Sequence, residues 1–432
     1  MIFSTPPFRP GEKVICLGDS TTHDGYWLYD LAQMIRCRQN VCVDFINAGV
    51  SGGNLAGALS RLDWDVIACH PDRVIICFGL NDVFRELYDT LAPDAAKRAE
   101  RELHLREFSD RLALAFQRLR DAGIPVVVMS SFPFDEYHPF TEAGKELICC
   151  NTQGLARLNE LARTFSEKES LPFIDIFTPM TQYYRQFSNF QICSDRVHPR
   201  QFGYLLAAAA IYDAIYDTEE NILSLASGKT PESLHGGKVE AFSFTKRFCR
   251  FFWTPDLLPF DRSSYFETAN KMVDLSAPLS QMNWAIDGLD AEPYSLKMNG
   301  IPCGIIHGTM LKNTMDIAPS AIPLQAQSAH IAALLAEENR QDLGLRRLAQ
   351  CDLIVSERGG NPTAENDTRK ILDDYIHVEC AKSQYQSYYA AAIEDYWQKR
   401  PFRNLFLENR ARVRSALEKI RLEPVFVELE RM

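Results

Sequence analysis

Through the first half of the chain, short runs of almost wholly apolar residues alternate with longer stretches of helical periodicity, and this alternation limits the fold more than any other feature. Lys13 to Gly18 is a short apolar run ending in a turn, and Tyr26 to Arg38 has helical spacing. Val41 to Asn47 is β-branched and aromatic, and Arg73 to Gly79 is nearly all apolar. A charged and apolar helix pattern over Ala95 to Ala122 stops at Gly123, and Ile124 to Ser130 reads as another buried strand. Helix is predicted again over roughly 142 to 167, strand over Pro172 to Phe177, and helix over 200 to 217. Strands that are apolar along their whole length have to be covered on both faces. The predicted class is therefore α/β: a three-layer α/β/α, doubly wound parallel sheet, with its site outside the carboxyl ends of the strands.

After about residue 220 the pattern changes. Lys238 to Phe244, Phe248 to Trp253 and Tyr294 to Met298 are short, aromatic or alternating, and separated by Gly, Pro and Asp turns, as in a small β-rich module. From Gln325 the pattern is helical, over about 325 to 350, 365 to 398 and 402 to 420, with breaks near Gly359 to Pro362 and at Pro401. The expected organisation is an α/β/α domain over 1–220, a β-rich accessory module over 221–324 and a helical C-terminal region over 325–432.

Three strings directly follow predicted parallel strands. Gly18-Asp19-Ser20 follows Val14 to Leu17, where a tight turn would expose a hydroxyl that needs a neighbouring base to become a nucleophile. Asn47-Ala48-Gly49-Val50-Ser51-Gly52-Gly53 follows the second strand, and its glycines let a backbone N–H approach a ligand closely. Gly79-Leu80-Asn81-Asp82 ends the third strand, placing an amide that can donate a hydrogen bond. A fourth string, Asp195-Arg196-Val197-His198-Pro199, lies just ahead of the helix predicted from Arg200. A histidine takes a serine proton only when its tautomer and ring plane are fixed, normally by a carboxylate on Nδ1, and Asp195 is one turn away.

In this order, Gly-Asp-Ser, Gly, Gly-x-Asn-Asp and Asp-x-x-His-Pro resemble the GDSL/SGNH hydrolase superfamily, over residues 11 to about 217. The resemblance implies the SGNH-type fold and a carboxylic ester hydrolase. It also implies Ser20 as nucleophile, His198 as general base and acid, and Asp195 as its orienter. The oxyanion hole would be made by the Ser20 N–H, the Gly52 N–H and the Asn81 side chain, with no metal and no organic cofactor. Gly49, Gly52 and Gly53 share one turn, and alignment of Asn47-Ala48 with the residues usual in the family favours Gly52. Thr21-Thr22-His23-Asp24 between Ser20 and Gly25 departs from the commonest spacing, which bears on the pocket mouth. Further on, Phe252-Trp253-Thr254 through Leu258-Pro259, and Gly288 through Tyr294-Ser295-Leu296-Lys297-Met298-Asn299-Gly300, are similar to the accessory region of bacterial GDSL-type proteins. Those relatives are often associated with polysaccharide breakdown, so the resemblance implies a carbohydrate ester; short acyl groups such as acetate are expected because no separate lid or long greasy channel is apparent in the sequence.

Alternatives stay open on the same residues. A lipid or thioester acylhydrolase would use the same site. Gly18-Asp19, His23-Asp24 and Asn81-Asp82 have the look of ligand sets in a metal-dependent phosphoesterase, but the histidines such a site needs as close pairs are isolated here. A non-catalytic binding module would be expected to lack Ser20, Asn81 or His198. His23, Tyr26, Phe84 and Arg85 flank the blocks as candidate pocket residues, with solvated loop or core positions as the plainer reading. His70, His104, His138, His235, His307, His330 and His377 carry no partner spacing.

The formal net charge of -11, with pI near 5.4, argues against nucleic acid as a partner, since phosphate binding needs basic patches. A small-molecule or glycan ester fits better. No run approaches the roughly 18 apolar residues of a membrane helix. Met1 to Lys13 has adjacent prolines and no apolar core of a secretory signal. The chain is therefore expected to be cytoplasmic, with its oligomeric state unspecified.

Overall fold

The structure is a computed structural model that describes residues 4–138, 149–187, 189–217, 222–226, 229–234, 236–260, 264–383 and 385–432. In chain order the first half forms β1 (Lys13–Gly18), α1 (Ser20–His23), α2 (Tyr26–Arg38), β2 (Asp44–Gly49), α3 (Leu55–Asp65), β3 (Arg73–Cys77) and α4 (Ala95–Asp121). It continues through β4 (Val126–Met129), α5 (Ala156–Glu169), β5 (Phe173–Ile174), α6 (Phe177–Gln186) and α7 (Gln201–Ile215). The chain folds as two compact units. One comprises Met1–Asp30, Val43–Ile215 and Glu337–Arg414, and the other Leu31–Cys42, Tyr216–Ala336 and Ser415–Met432. These units interleave in sequence, whereas the expected boundaries at 220 and 324 are sequential.

The first unit holds a five-stranded sheet, ordered β2-β1-β3-β4-β5, with every pairing parallel. Val14, Ile15, Cys16 and Leu17 of β1 and all of β3 are buried, as strands covered on both faces require. Helix α4 shows how sequence sets local structure. Asp94 caps it by accepting from the Lys97 N–H, and Leu105, Phe108, Leu112, Ala115, Phe116 and Leu119 recur at helical spacing on its buried face. Each large side chain buried there contributes about 1.5–3 kcal/mol. The helix stops where Gly123 takes the left-handed conformation, φ +73°.

The order β2-β1-β3 puts a switch in winding direction at β1. Gly18 is paired with Gly49 on one side and Cys77 on the other, so the three loops that follow emerge side by side.

Some expectations are corrected. The strand predicted over Pro172 to Phe177 is paired only at Phe173 and Ile174, because the N–H groups of Ile176 and Phe177 donate to Ser130 Oγ and Phe177 opens α6. Of the helix predicted over 142 to 167, residues 142 to 148 lie outside the described residues. Residues Cys150–Leu155 form a wider π turn before α5. Helices α3 and α6 were not anticipated.

The second unit contains β6 (Ile222–Ala226), β7 (Glu232–Leu234), β8 (Lys238–Thr245), β9 (Phe248–Thr254), β10 (Asn283–Asp287), β11 (Pro293–Met298), β12 (Ile301–His307), β13 (Met315–Asp316) and β14 (Val425–Arg431). They make a four-stranded sheet, β13-β10-β6-β7, and an antiparallel five-stranded one, β12-β11-β14-β9-β8. The two pack through Phe251 and Trp253 against Trp284, with Trp253 and Trp284 edge to face at 5.1 Å. The expectation that 325–432 is helical fails at its end. Val425, Val427 and Leu429 alternate with half-buried neighbours, and this period of two makes Val425–Arg431 the central strand of the larger sheet.

Candidate active site

Ser20 opens the short turn α1 directly after β1. Asp19 caps that turn, its Oδ1 accepting from the Thr21 N–H at 2.9 Å and from Thr21 Oγ1 at 2.8 Å. Burial pushes the Asp19 carboxyl up, against the opposing pull of those hydrogen bonds. The Asp195 loop delivers the imidazole. Asp195 Oδ1 accepts the N–H groups of Val197 and His198, at 3.1 and 2.8 Å, and Arg196 between them takes a left-handed φ of 69°. This tight loop puts Asp195 Oδ2 2.7 Å from His198 Nδ1 and His198 Nε2 2.8 Å from Ser20 Oγ. With the proton on Nδ1, the ring donates to the carboxylate and Nε2 accepts from the serine hydroxyl.

The electrostatics agree with that line. At His198 burial favours the neutral ring, yet the hydrogen bond and charge of Asp195, with Asp24 and Asp19 behind it, hold the imidazole above its usual range. At Asp195 burial opposes ionisation, but His198 and the two backbone N–H groups outweigh it and hold the carboxyl below its usual range. Tyr204 donates to Asp24 Oδ2 at 3.0 Å.

The glycine turn and the Asn81 loop adjoin. Asn47 Nδ2 donates to the His23 carbonyl at 3.1 Å, and its Oδ1 accepts the Gly49 N–H at 2.8 Å. A β-carbon on Gly49 would lie 2.1 Å from the His23 nitrogen, so Gly49 is needed for α1 to approach β2. Gly52 is exposed and left-handed, φ +74°. Asn81 Nδ2 donates to the Gly53 carbonyl at 2.7 Å, which joins the two loops. Asp82 is buried, accepts the Leu55 N–H at 2.8 Å and is pushed up by burial to about 7. Below these loops the buried Arg61 donates to the carbonyls of Ala48 at 2.7 Å and Gly18 at 3.2 Å, tying the ends of β2 and β1 together.

The flanking candidates fare differently. His23 is buried rather than a solvated loop residue, and burial, then Arg347 and Arg346, lower its ring to about 3, which keeps it neutral. Among the described residues its Nδ1 has no hydrogen-bond partner. Tyr26 is half-buried, 5.6 Å from the Tyr204 ring. Phe84 stacks on His104 at 3.6 Å. Arg85 donates to the Leu80 carbonyl and to Asn81 Oδ1.

Two features escaped sequence reasoning. His138 does have a partner: its Nδ1 is 2.6 Å from Asp135 Oδ2, and Asp135 Oδ1 accepts the N–H groups of Tyr137 and His138. The signal was available, since Asp135-Glu136-Tyr137-His138-Pro139 repeats the Asp-x-x-His-Pro pattern. The other ring nitrogen faces the Phe187 carbonyl at 3.3 Å, not a hydroxyl. The Asp135 N–H donates to the Arg196 carbonyl at 2.8 Å, so this second pair braces the loop that carries the first. The C-terminal helices also reach the site loops. Gln350 Nε2 donates to the Ser51 carbonyl at 3.3 Å, and a β-carbon on Gly52 would sit 3.2 Å from Tyr389 Oη. His235 lies outside the described residues. Among the described residues no group of three or more His, Cys, Asp or Glu is placed to hold a metal ion.

An α/β/α sheet with a hydroxyl, imidazole and carboxylate lined up at its carboxyl edge has the form of an SGNH-type carboxylic ester hydrolase. Comparison with known proteins narrows that class: residues 16–206 match the GDSL-like Lipase/Acylhydrolase family. The chain is similar to an acetylxylan esterase from Geobacillus stearothermophilus, 22% identical over 216 residues, covering 46% of this chain and 92% of that protein. It is also similar to the uncharacterized lipoprotein YqeF of Bacillus subtilis (strain 168), 24% identical over 183 residues, covering 39% of this chain and 71% of the relative. A solved structure described as BT4096, a gut microbial diltiazem-metabolizing enzyme, shares the fold over 99% of both chains, with a TM-score of 0.82 and 17% identity. Among the described residues no helix is long and apolar enough to cross a membrane.

Proposed function

We propose that the protein hydrolyses short-chain, acetyl esters carried on carbohydrates, with Ser20 as nucleophile, His198 as general base and acid, and Asp195 as the group that orients the ring. The observation that carries this reading is the 2.8 Å approach of His198 Nε2 to Ser20 Oγ, on a ring whose other nitrogen is 2.7 Å from Asp195. Ser20 Oγ attacks the ester carbonyl while its proton passes to His198 Nε2. The tetrahedral oxyanion is held by the N–H groups of Ser20 and Gly52 and by the second Nδ2 hydrogen of Asn81, the first being engaged by Gly53. The C–O bond to the alcohol then breaks as His198 returns the proton to the leaving oxygen. Water repeats the sequence on the acyl-enzyme, releasing the acid and restoring the serine hydroxyl.

The acetyl and carbohydrate part of the reading is supported by the similarity to an acetylxylan esterase over nearly that protein's whole length. A series of p-nitrophenyl esters from two to twelve carbons, followed by acetylated glycans, tests it. Turnover should be highest on acetate and should disappear in Ser20→Ala. A maximum at long chains would favour a lipid acylhydrolase on the same site.

A further inference from the structure

We propose that Arg85 is a positioning residue: it fixes the Asn81 amide with its nitrogen toward the reacting carbonyl and strengthens that nitrogen as a donor. This rests on the esterase reading above. The oxygen and nitrogen of an asparagine amide have nearly the same shape, so only hydrogen-bond partners decide which way the group faces. Both partners are unambiguous here. A guanidinium only donates, and Arg85 Nη1 is 2.9 Å from Asn81 Oδ1. A carbonyl only accepts, and Gly53 O is 2.7 Å from Asn81 Nδ2. The flipped amide would set its oxygen against the carbonyl and its NH2 against the cation, losing both bonds.

The guanidinium is itself anchored. Nη1 also donates to the Leu80 carbonyl at 2.6 Å, and Phe84, at a left-handed φ of 53°, turns the chain so that Arg85 folds back on its own loop. A cation on Oδ1 draws electron density from the amide and makes its N–H groups better donors, so the benefit grows as negative charge develops on the substrate oxygen. The effect should therefore fall on the chemical step. A role as a substrate-contacting wall would fall on KM instead.

Kinetics of the full chain on p-nitrophenyl acetate, for Arg85→Met, Asn81→Ala and the double variant, tests this directly. Arg85→Met should lower kcat by roughly 10- to 100-fold, less than the 100- to 1000-fold typical of losing the donor itself. KM should stay within about threefold, and adding Arg85→Met to Asn81→Ala should cost less than about twofold more, since residues acting as a unit are not additive. Arg85→Lys, which keeps a cationic donor, should restore part of kcat and serves if the methionine variant does not fold. An undiminished Arg85 effect in the Asn81→Ala background, or a rise in KM with kcat unchanged, would overturn the assignment. A second readout needs no turnover. With 15N-asparagine labelling, the side-chain amide resonances of Asn81, identified by their loss in Asn81→Ala, should move in Arg85→Met. Unmoved resonances would overturn the proposal even if the wild-type protein hydrolysed no ester, a result that would by itself count only against the esterase reading.

Discussion

His198 Nε2 lies 2.8 Å from Ser20 Oγ across 178 positions of sequence, while His138, held by its own aspartate in the same local geometry, faces a backbone carbonyl. The same five-residue pattern thus occurs twice, and only the tertiary address of the second ring nitrogen separates the proposed base from a brace.

That difference is measurable. His198→Gln should lower kcat/KM by a factor on the order of 10⁵ to 10⁶, as removal of a triad base does elsewhere. His138→Gln should leave kcat/KM within about tenfold and act mainly on Tm, because it loosens a buried hydrogen-bonded loop. Steady-state kinetics and thermal unfolding of the two variants decide the matter, and comparable catalytic losses would contradict it.

The pH profile carries a sign. His198 must be neutral to accept a proton, and Asp195 raises its pKa, so activity should rise with pH through a midpoint above the ordinary histidine value of about 6.5. Asp195→Asn removes the charge that favours the imidazolium. The acidic limb should then move to lower pH even as kcat falls, by up to about 10⁴-fold. A limb that stays put would show that the carboxylate does not govern the ring.

How much of this was legible in the sequence follows the range of the interactions. Lys13–Gly18 and Tyr26–Arg38 are read off directly, because strand and helix periods are local signals. The four site strings are legible because each sits at the end of a local element. Val425–Arg431 was missed beside a helical run, since seven alternating residues are a weak signal. The approach of Asn339 to Gly25, of Gln350 to Ser51 and of Tyr389 to Gly52 has no local signature, each pair being about 300 positions apart.

Asp82 has a role in stability with a defined direction. Burial, opposed by the Leu55 N–H and reinforced by Asp19, lifts its carboxyl to about 7, so the folded chain holds a proton that the unfolded chain releases near pH 4. Stability should fall as pH rises from about 4 to about 7, by at most about 1.4 kcal/mol per pH unit from this group. Asp82→Asn stays neutral and keeps an acceptor for Leu55. It should match the wild type in urea unfolding near pH 4 and exceed it at pH 8. Equal stabilities at both pH values would contradict the argument.

Gly52 tests the tyrosine beside it. Gly52→Ala places a β-carbon at a left-handed φ and 3.2 Å from Tyr389 Oη, so kcat should fall. Tyr389→Phe, which removes that oxygen, should recover part of the loss in the double variant. No recovery would assign the whole effect to the backbone.

The most direct measurement is covalent. A serine-directed fluorophosphonate should label the wild-type chain at one site, located by mass spectrometry on the peptide containing Ser20, with labelling lost in Ser20→Ala and strongly slowed in His198→Gln. Ester hydrolysis that persists in Ser20→Ala, or a stoichiometric label on any other residue, would contradict the account.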